Sequence, residues 1–450
     1  MSAFLGMRGD GDWVTDQRPK NWRETILFRY PNGSMPLTAI MSKMQSEKTD
    51  DPEFNWWIKN LPTQRAVYTP GQIYTDSGLS VAYPSTGGGN AGDVVYIQMS
   101  SDYAGQFRIG HQVLVRLSTN LTIDVNCKVV ARNLAGASSY LGLLLLENDD
   151  NGTTPTSMNL SDCDTVLVIG NINSEGAAMP DSLAYDPIKV YNYTQIFRTP
   201  LELTRTAMQT RLRTGDQMKE AKREALELHG IEMEKAFLFG IPSERTGDNG
   251  KPERTTMGLI PIIKGGWNGA GTGSTGILAN GCGLVDNFVL NPNYSGMTWL
   301  QGGEDWLDTQ LEQIFRYGAN EKLALCGSGA ILGLNKLIKA TGTFIFEAKT
   351  ESYGLKVIKW TTPFGVINLM THPLFSYEDT TRNSMVIFEP KDIKFRFIQD
   401  TMYKADDRLQ KGGWTSRDGI KEEFLTEGGL EFHHPNGWGY LYGFGSDNAV

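Results

Sequence analysis

Long apolar runs are missing from this sequence: although 40% of its 450 residues are hydrophobic, no stretch approaches the ~18 uncharged residues a membrane-spanning helix requires. A helical membrane protein is not expected. Cysteine is scarce, and Cys127, Cys163, Cys282 and Cys326 form no C-x-x-C pair. This points to reduced, buried thiols rather than a disulfide framework. Of the five histidines only His433 and His434 adjoin, and the turn Pro435-Asn436-Gly437 follows at once, so no third metal ligand arrives at helical spacing. Positive charge is not in excess: 42 Lys and Arg minus 51 Asp and Glu gives −9, which removes the global footprint of a duplex-gripping protein. Proline (19) adds little to a high glycine count (50), so the composition is that of a folded, turn-rich chain. Arg8, Asp10, Asp12, Asp16, Arg18 and Lys20 interrupt the start. No secretory signal is expected, and the chain is expected to stay where it is made.

Catalytic motifs are missing too. The sequence has no G-x-x-x-x-G-K-[ST], H-E-x-x-H or G-x-S-x-G, the patterns that cradle phosphate, hold zinc or raise a nucleophilic serine. Gly271, Gly273 and Gly276 match G-x-G-x-x-G, but Asn268-Gly269-Ala270 precedes them where a strand should be, so a flexible loop is the better reading. Glu147-x-Asp149-x-Asn151-Gly152 imitates half a calcium loop, yet Met158 stands where the bidentate glutamate belongs. Asp406, Asp407, Glu422, Glu423, Glu427 and Glu431 form a carboxylate cluster. It reads as a solvated or subunit-facing acidic surface; the alternative is the acid and base pair of a cytosolic carbohydrate-active hydrolase. No catalytic, cofactor or metal residue is expected.

What is present is a succession of distinct textures, long enough for two or three domains. Residues 1 to about 35 lack periodicity and read as an extended arm; Leu37–Met44 suits a short helix, and Phe54, Trp56 and Trp57 form an aromatic knot that must pack against something. From 63 to 200, short Val, Ile, Thr and Tyr runs separated by Gly, Asn and Asp read as strands. The clearest is Ile123, Val125, Cys127, Val129 and Ala131 against Asp124, Asn126, Lys128 and Arg132. Further strands are expected at Val94–Met99, Val113–Leu117, Tyr140–Leu146, Val166–Ile169 and Lys189–Phe197, with a turn at Asn151-Gly152. Between about 203 and 239 the period becomes helical, with Met218, Ala221, Ala225 and Leu228 at helical spacing and Leu226, Met233 and Phe237 likewise, and Gly240-Ile241-Pro242 stops it. A glycine-rich loop runs from Gly265 to Gly283. Two amphipathic helices follow, one carrying Trp306, Leu307, Leu311, Ile314 and Phe315, the other Ile331, Leu332, Leu334, Leu337 and Ile338. Strands resume at Lys356–Thr361, Phe364–Met370, Met385–Phe388 and Ile393–Ile398, making this half α+β.

That order of parts resembles the major capsid proteins of tailed bacteriophages, the Hong Kong 97 fold, and in particular the branch with a β-insertion in the extended loop. Local stretches carry the likeness: Pro36-Leu37-Thr38 leading to Glu53-Phe54-x-Trp56, Asn192 to Phe197, the helix from Thr204 to Phe239, and Glu427-Gly428-Gly429-Leu430-Glu431 with Gly437. The resemblance implies an N-arm and lead-in (1–62) and an extended loop with its β-rich insertion (63–200). It implies a peripheral domain with spine helix and glycine-rich loop (201–300), an axial domain (301–392), and return strands (393–450). It also implies a non-enzymatic shell subunit, assembled in the host bacterial cytoplasm into pentamers and hexamers of an icosahedral virion capsid. Packaged double-stranded DNA would be touched weakly and without specificity. Portal, a separate scaffold and cement or decoration proteins are the expected partners, with no membrane. An encapsulin-like compartment is the same-fold alternative. Residues 61–200 hold only Lys128 and Lys189, neither in a context suggesting the lysine-to-asparagine weld of some relatives. Subunit contacts are expected at Phe54, Trp56, Trp57, Phe395 and Phe397, because obligate interfaces bury apolar and aromatic side chains at their centres.

Overall fold

In the computed structural model of the protein, the residues described are 37, 45–59, 64–84, 89–148, 160–185, 187–210, 216–265, 283–341, 345–352, 355–405 and 419–448. Two units emerge, one built from Met1–Ile58 and Ile188–Val450, the other from Lys59–Pro187. The expected N-arm, the Leu37–Met44 helix apart from Leu37, the Asn151-Gly152 turn, the G-x-G-x-x-G loop and Asp406-Asp407 lie outside the described residues.

Glu321–Cys326 and Ser384–Phe388 are buried at nearly every position, as strands covered on both faces must be. They sit inside a mixed seven-stranded sheet of the first unit, in the order Leu284–Asn287, Gly439–Tyr442, Ser384–Phe388, Glu321–Cys326, Val366–Thr371, Leu355–Thr361, Ile345–Ser352. Alternation along these strands feeds two cores. Leu323, Leu325, Val386 and Phe388 join a cluster with Phe237, Phe375 and Trp438. Ala324, Cys326, Met385 and Ile387 join another with Trp299, Trp306, Leu334 and Trp360. Helices Trp299–Ile314 and Ser328–Thr341 supply that second core. The first begins two turns before the run of apolar residues that announces it, its entry tied by Thr298 N–H donating to Gln301 Oε1 at 3.0 Å.

A second sheet of this unit has four strands, Ser46–Lys48, Ile393–Lys404, Gly419–Phe432 and Gln195–Thr204, antiparallel except for the first pair, and two two-stranded sheets accompany it. Against it packs the long helix. Instead of a continuous span from 203, the described chain has a short helix, Arg205–Gln209, and then Gln217–Phe239, whose 23 residues run about 35 Å. Each expected row is split: Ala225, Met233 and Phe237 face inward together with His229, while Leu226 and Leu228 are exposed. Two polar side chains, His229 and Glu234, take buried places because each finds partners there, which a reading by hydrophobicity misses. Gly240 ends the helix with φ −61° rather than in the left-handed region. Glycine is required because a Cβ would stand 2.4 Å from the Thr256 carbonyl oxygen, where the chain doubles back and Gly258 N–H donates to Gly240 O at 2.7 Å.

The second unit is one antiparallel sheet of seven strands, in the order Arg65–Val67, Thr165–Asn171, His111–Leu117, Asn120–Asn133, Tyr140–Leu145, Val94–Gln98, Ile73–Tyr74. Val113, Val115, Val125, Cys127, Val129, Leu141 and Leu143 are fully buried on one face, closed by Phe107, Leu160 and Cys163. The alternation expected through Ala131 stops at Val129. A bulge follows, so that Val129 pairs with Leu143 but Ala131 with Gly142. At Gly142 a Cβ would meet the Ala131 Cβ at 2.9 Å.

Candidate assembly surface

The aromatic knot is a strand. Glu53–Ile58 pairs antiparallel with Ile188–Tyr193, setting Trp56 opposite Val190 and Trp57 opposite Lys189. A period of two then divides the contact residues expected at this place. Phe54 and Trp56 are each 7% exposed and belong to the subunit's own core, their rings stacked 6.0 Å apart, whereas Trp57 is 65% exposed. This corrects the expectation that all three face a neighbour. Phe395 and Phe397 stack at 5.8 Å and are half-buried; Phe395 also meets Phe237 of the long helix at 6.0 Å. Of the described tryptophans, Trp56, Trp299, Trp306, Trp360 and Trp438 are buried and Trp57 alone is not. Trp56→Ala is therefore expected to cost the isolated subunit about 3 kcal/mol, at the low end for tryptophan because its buried Nε1 has no hydrogen-bond partner to lose. Trp57→Ala should change subunit stability by under ~0.5 kcal/mol. Urea titration of the two variants checks this contrast, and equal losses would contradict the division of the strand into an inward and an outward face.

The carboxylate cluster is not an open acidic surface. Its described members lie on Gly419–Phe432, a strand paired on both sides, and they meet basic side chains or a hydroxyl. Glu423 takes a two-pronged contact from Arg198 (2.7 and 2.8 Å), Glu422 lies 3.4 Å from Lys222, and Glu427 accepts from the Thr194 hydroxyl at 3.3 Å. Glu431, 3% exposed, accepts from Arg396, which reaches Glu47 with its other arm at 2.8 Å, and sits 2.5 Å from His433 Nε2. Burial pushes the Glu431 carboxyl up, but His433 and Arg396 outweigh it and hold it below its ordinary value. Glu422, Glu423 and Glu431, each held by a basic side chain, do not form an opposed acid and base pair. Among the described residues no group of histidine, cysteine, aspartate or glutamate is placed to hold a metal ion.

The buried histidines act as ties. His372 Nε2 lies 2.8 Å from Glu234 Oε1 on the long helix, the same oxygen that accepts from the Leu37 N–H at 2.8 Å. His229 Nδ1 lies 2.9 Å from Thr199 Oγ1 and its Nε2 2.8 Å from Thr426 Oγ1, joining the helix to two strands beneath it. Thr199 Oγ1 also lies 3.3 Å from Glu232 Oε2. Burial lowers the His229 pKa from 6.5, with Glu232 opposing weakly. The folded ring thus stays neutral where the unfolded one protonates. Its share of stability is complete above pH ~6.5 and is lost as pH falls from there through the lower folded value. A His229→Gln subunit should show a flatter stability profile below pH ~6.5 in urea titrations at stepped pH; an unchanged slope would mean that other groups set it.

The sequence from residue 14 to residue 444 matches a family model described as SU10 major capsid protein. The chain belongs to that family. It is a phage major capsid protein, a structural component of a virion shell, and its α+β fold has the β-rich excursion, long helix and sheet-and-helix core expected from the sequence. Within curated proteins it is 23% identical to the "Major capsid protein" of Pseudomonas phage PaMx41, over 92% of this chain and 87% of that one. Among solved structures it is similar to the capsid of the native GTA particle (8% identity, 96% of each chain, TM-score 0.43). It is also similar to a chain of Mycobacterium phage Bobi (7% identity, 94% and 95% covered, TM-score 0.42). What sequence reasoning missed are the internal ties of Glu234, His372 and Lys322, which carry no motif because each depends on partners far along the chain.

Proposed function

We propose that this capsid protein closes into pentamers and hexamers of an icosahedral shell around packaged double-stranded DNA. The observation that supports this most is the family match running through both units, 14–444, on a chain whose described clustered carboxylates are engaged within the subunit. In this reading Lys59–Pro187 is the insertion carried by the extended loop, Gln217–Phe239 with the four-stranded sheet forms the peripheral domain, and the seven-stranded sheet of the first unit forms the axial domain. Trp57, with the half-buried Phe397, supplies contact surface between subunits. Assembly would occur in the host cytoplasm, with portal, scaffold and cement proteins as separate partners. A net charge of −9 suits a container that must not hold its genome by many phosphate contacts. The test is negative-stain electron microscopy with sedimentation of the purified chain: closed shells or rings of five and six are expected, and a monomer under all assembly conditions would overturn the reading. Isolated capsomers should bind DNA with a shallow salt dependence, and a steep one would contradict the weak-contact part.

A further inference from the structure

Ser243–Thr246 and Pro252–Thr255 form an antiparallel hairpin that makes a two-stranded sheet of its own. Its strands have no buried position, and its cross-strand ion pairs, Arg245 with Glu253 at 2.8 Å and Arg254 with Glu244 at 3.2 Å, lie at the surface. Such pairs stabilise little, and a two-stranded ribbon is marginal by itself. Local opening of this hairpin therefore costs far less than unfolding the subunit.

The turn runs from Gly247 to Lys251. Gly247 N–H donates to Lys251 O at 2.8 Å, and Gly250 N–H to Gly247 O at 2.9 Å. Gly250 has φ +72°, a left-handed conformation that glycine takes without strain. No heavy atom beyond its chain neighbours stands within 4 Å of where a Cβ would be. Asn249 before it is exposed, and its Oδ1 accepts from the Lys251 N–H at 3.0 Å. A side-chain oxygen bonded to the amide two residues on folds the carboxamide back over the peptide between them, which sets the Asn249 Cγ against the Gly250 nitrogen. The same donor faces the oxygen on which negative charge develops when that carbon is attacked.

Asn436-Gly437, the other Asn-Gly pair among the described residues, stands in the opposite setting. Gly437 is buried in the turn Pro435–Gly437, where a Cβ would lie 2.7 Å from Tyr317 O and 3.0 Å from Lys322 Nζ. Freeing this peptide means opening the core around the buried Lys322.

We propose that Asn249-Gly250 is a site of spontaneous covalent modification, at which asparagine becomes aspartate and isoaspartate in the folded subunit. Hairpin opening releases the Gly250 N–H from Gly247 O. The Gly250 nitrogen then attacks the Asn249 Cγ and gives its proton to water; the Cγ–Nδ2 bond breaks and ammonia leaves, closing a cyclic imide. Water opens the imide at one of its two carbonyl carbons, giving aspartate from one and isoaspartate, with the main chain routed through the side chain, from the other. Water is the only co-reactant. Either product adds a negative charge beside Asp248, and isoaspartate puts the Gly247 to Lys251 pairing out of step by lengthening the loop.

The test is peptide mapping of the full chain incubated at mildly alkaline pH, folded and in urea. Isoaspartate is read by methyl transfer from S-adenosylmethionine with a protein isoaspartate methyltransferase. Folding should slow conversion of the Asn249 peptide by less than about tenfold and that of the Asn436 peptide by roughly 100-fold or more, the difference between local and core opening. Equal slowing of the two peptides, or an Asn249 peptide that converts only in urea, would overturn the proposal. Asn249→Ser, a surface change, should abolish methylation of the hairpin peptide and leave the urea midpoint unmoved. Methylation that persists in that peptide would place the reactive bond elsewhere and also overturn it.

Discussion

Lys322→Ala is expected to lower the unfolding free energy of the subunit by about 3–5 kcal/mol, the range for removing one partner from a buried ion pair. The Lys322 side chain is fully buried and that of Glu389 is 2% exposed, with Nζ 2.7 Å from Oε1. The ammonium also donates to the Tyr317 carbonyl at 3.0 Å, and the same carboxylate oxygen accepts from the Ala319 N–H at 2.8 Å. The pair therefore pins the turn after helix Trp299–Ile314 to the end of strand Ser384–Phe388. Lys391 reaches the other carboxylate oxygen at 3.1 Å, so Glu389 is not left wholly uncompensated, and the loss should fall nearer the lower figure. Replacing both partners with apolar residues should recover part of it, since two charges no longer need desolvation; the orphaned Ala319 N–H limits the recovery. Urea denaturation of the isolated variants measures this, and a loss below ~1 kcal/mol would show that the pair is not a strut. The acid limb carries the same signature. Burial raises the Glu389 pKa, but Lys322, the Ala319 N–H and Lys391 outweigh it and leave it below 4.5. The resulting stabilisation is complete above pH ~4.5 and is lost as pH falls through the lower folded value. Lys322→Ala should flatten that limb.

Trp299→Ala should cost a similar amount, about 3–5 kcal/mol and toward the upper figure. The indole is 1% exposed and meets three aromatic rings, Phe288 at 5.0 Å edge-on, Trp306 at 5.9 Å and Phe444 at 5.5 Å. Each such pair adds roughly 0.5–1.5 kcal/mol beyond the area buried. Its Nε1–H donates to the Gly333 carbonyl at 2.9 Å, tying helix Trp299–Ile314 to helix Ser328–Thr341. Trp299→Phe keeps the packing but orphans that carbonyl, so a loss of about 1–3 kcal/mol is expected. Thermal unfolding of the two variants ranks them, and a phenylalanine variant as damaged as the alanine one would place the energy in the hydrogen bond rather than the rings.

Much of this architecture was legible because burial imposes a period. Val125, Cys127 and Val129 alternate in the sequence because one face of their strand is solvent-facing, and Leu307, Leu311 and Ile314 recur at helical spacing because one stripe is buried. Glu321–Cys326 carried no such signal, since it is covered on both faces. The carboxylates of Gly419–Phe432 look like an acidic patch in one dimension because Arg198, Lys222 and Arg396, which pair with Glu423, Glu422 and Glu431, lie far from them in sequence or on another strand. Sequence alone determined the class: a phage shell protein of α+β fold without a catalytic motif, with its β-rich excursion, its long helix and its paired amphipathic helices in order. Only the tertiary structure decided which aromatic residue of the knot faces outward, which histidine is a tie, where the helix turns its buried stripe and which Asn-Gly pair lies exposed. Periodicity is a local property and survives in one dimension, whereas the partner that neutralises a buried charge or covers an indole is fixed only when distant segments meet.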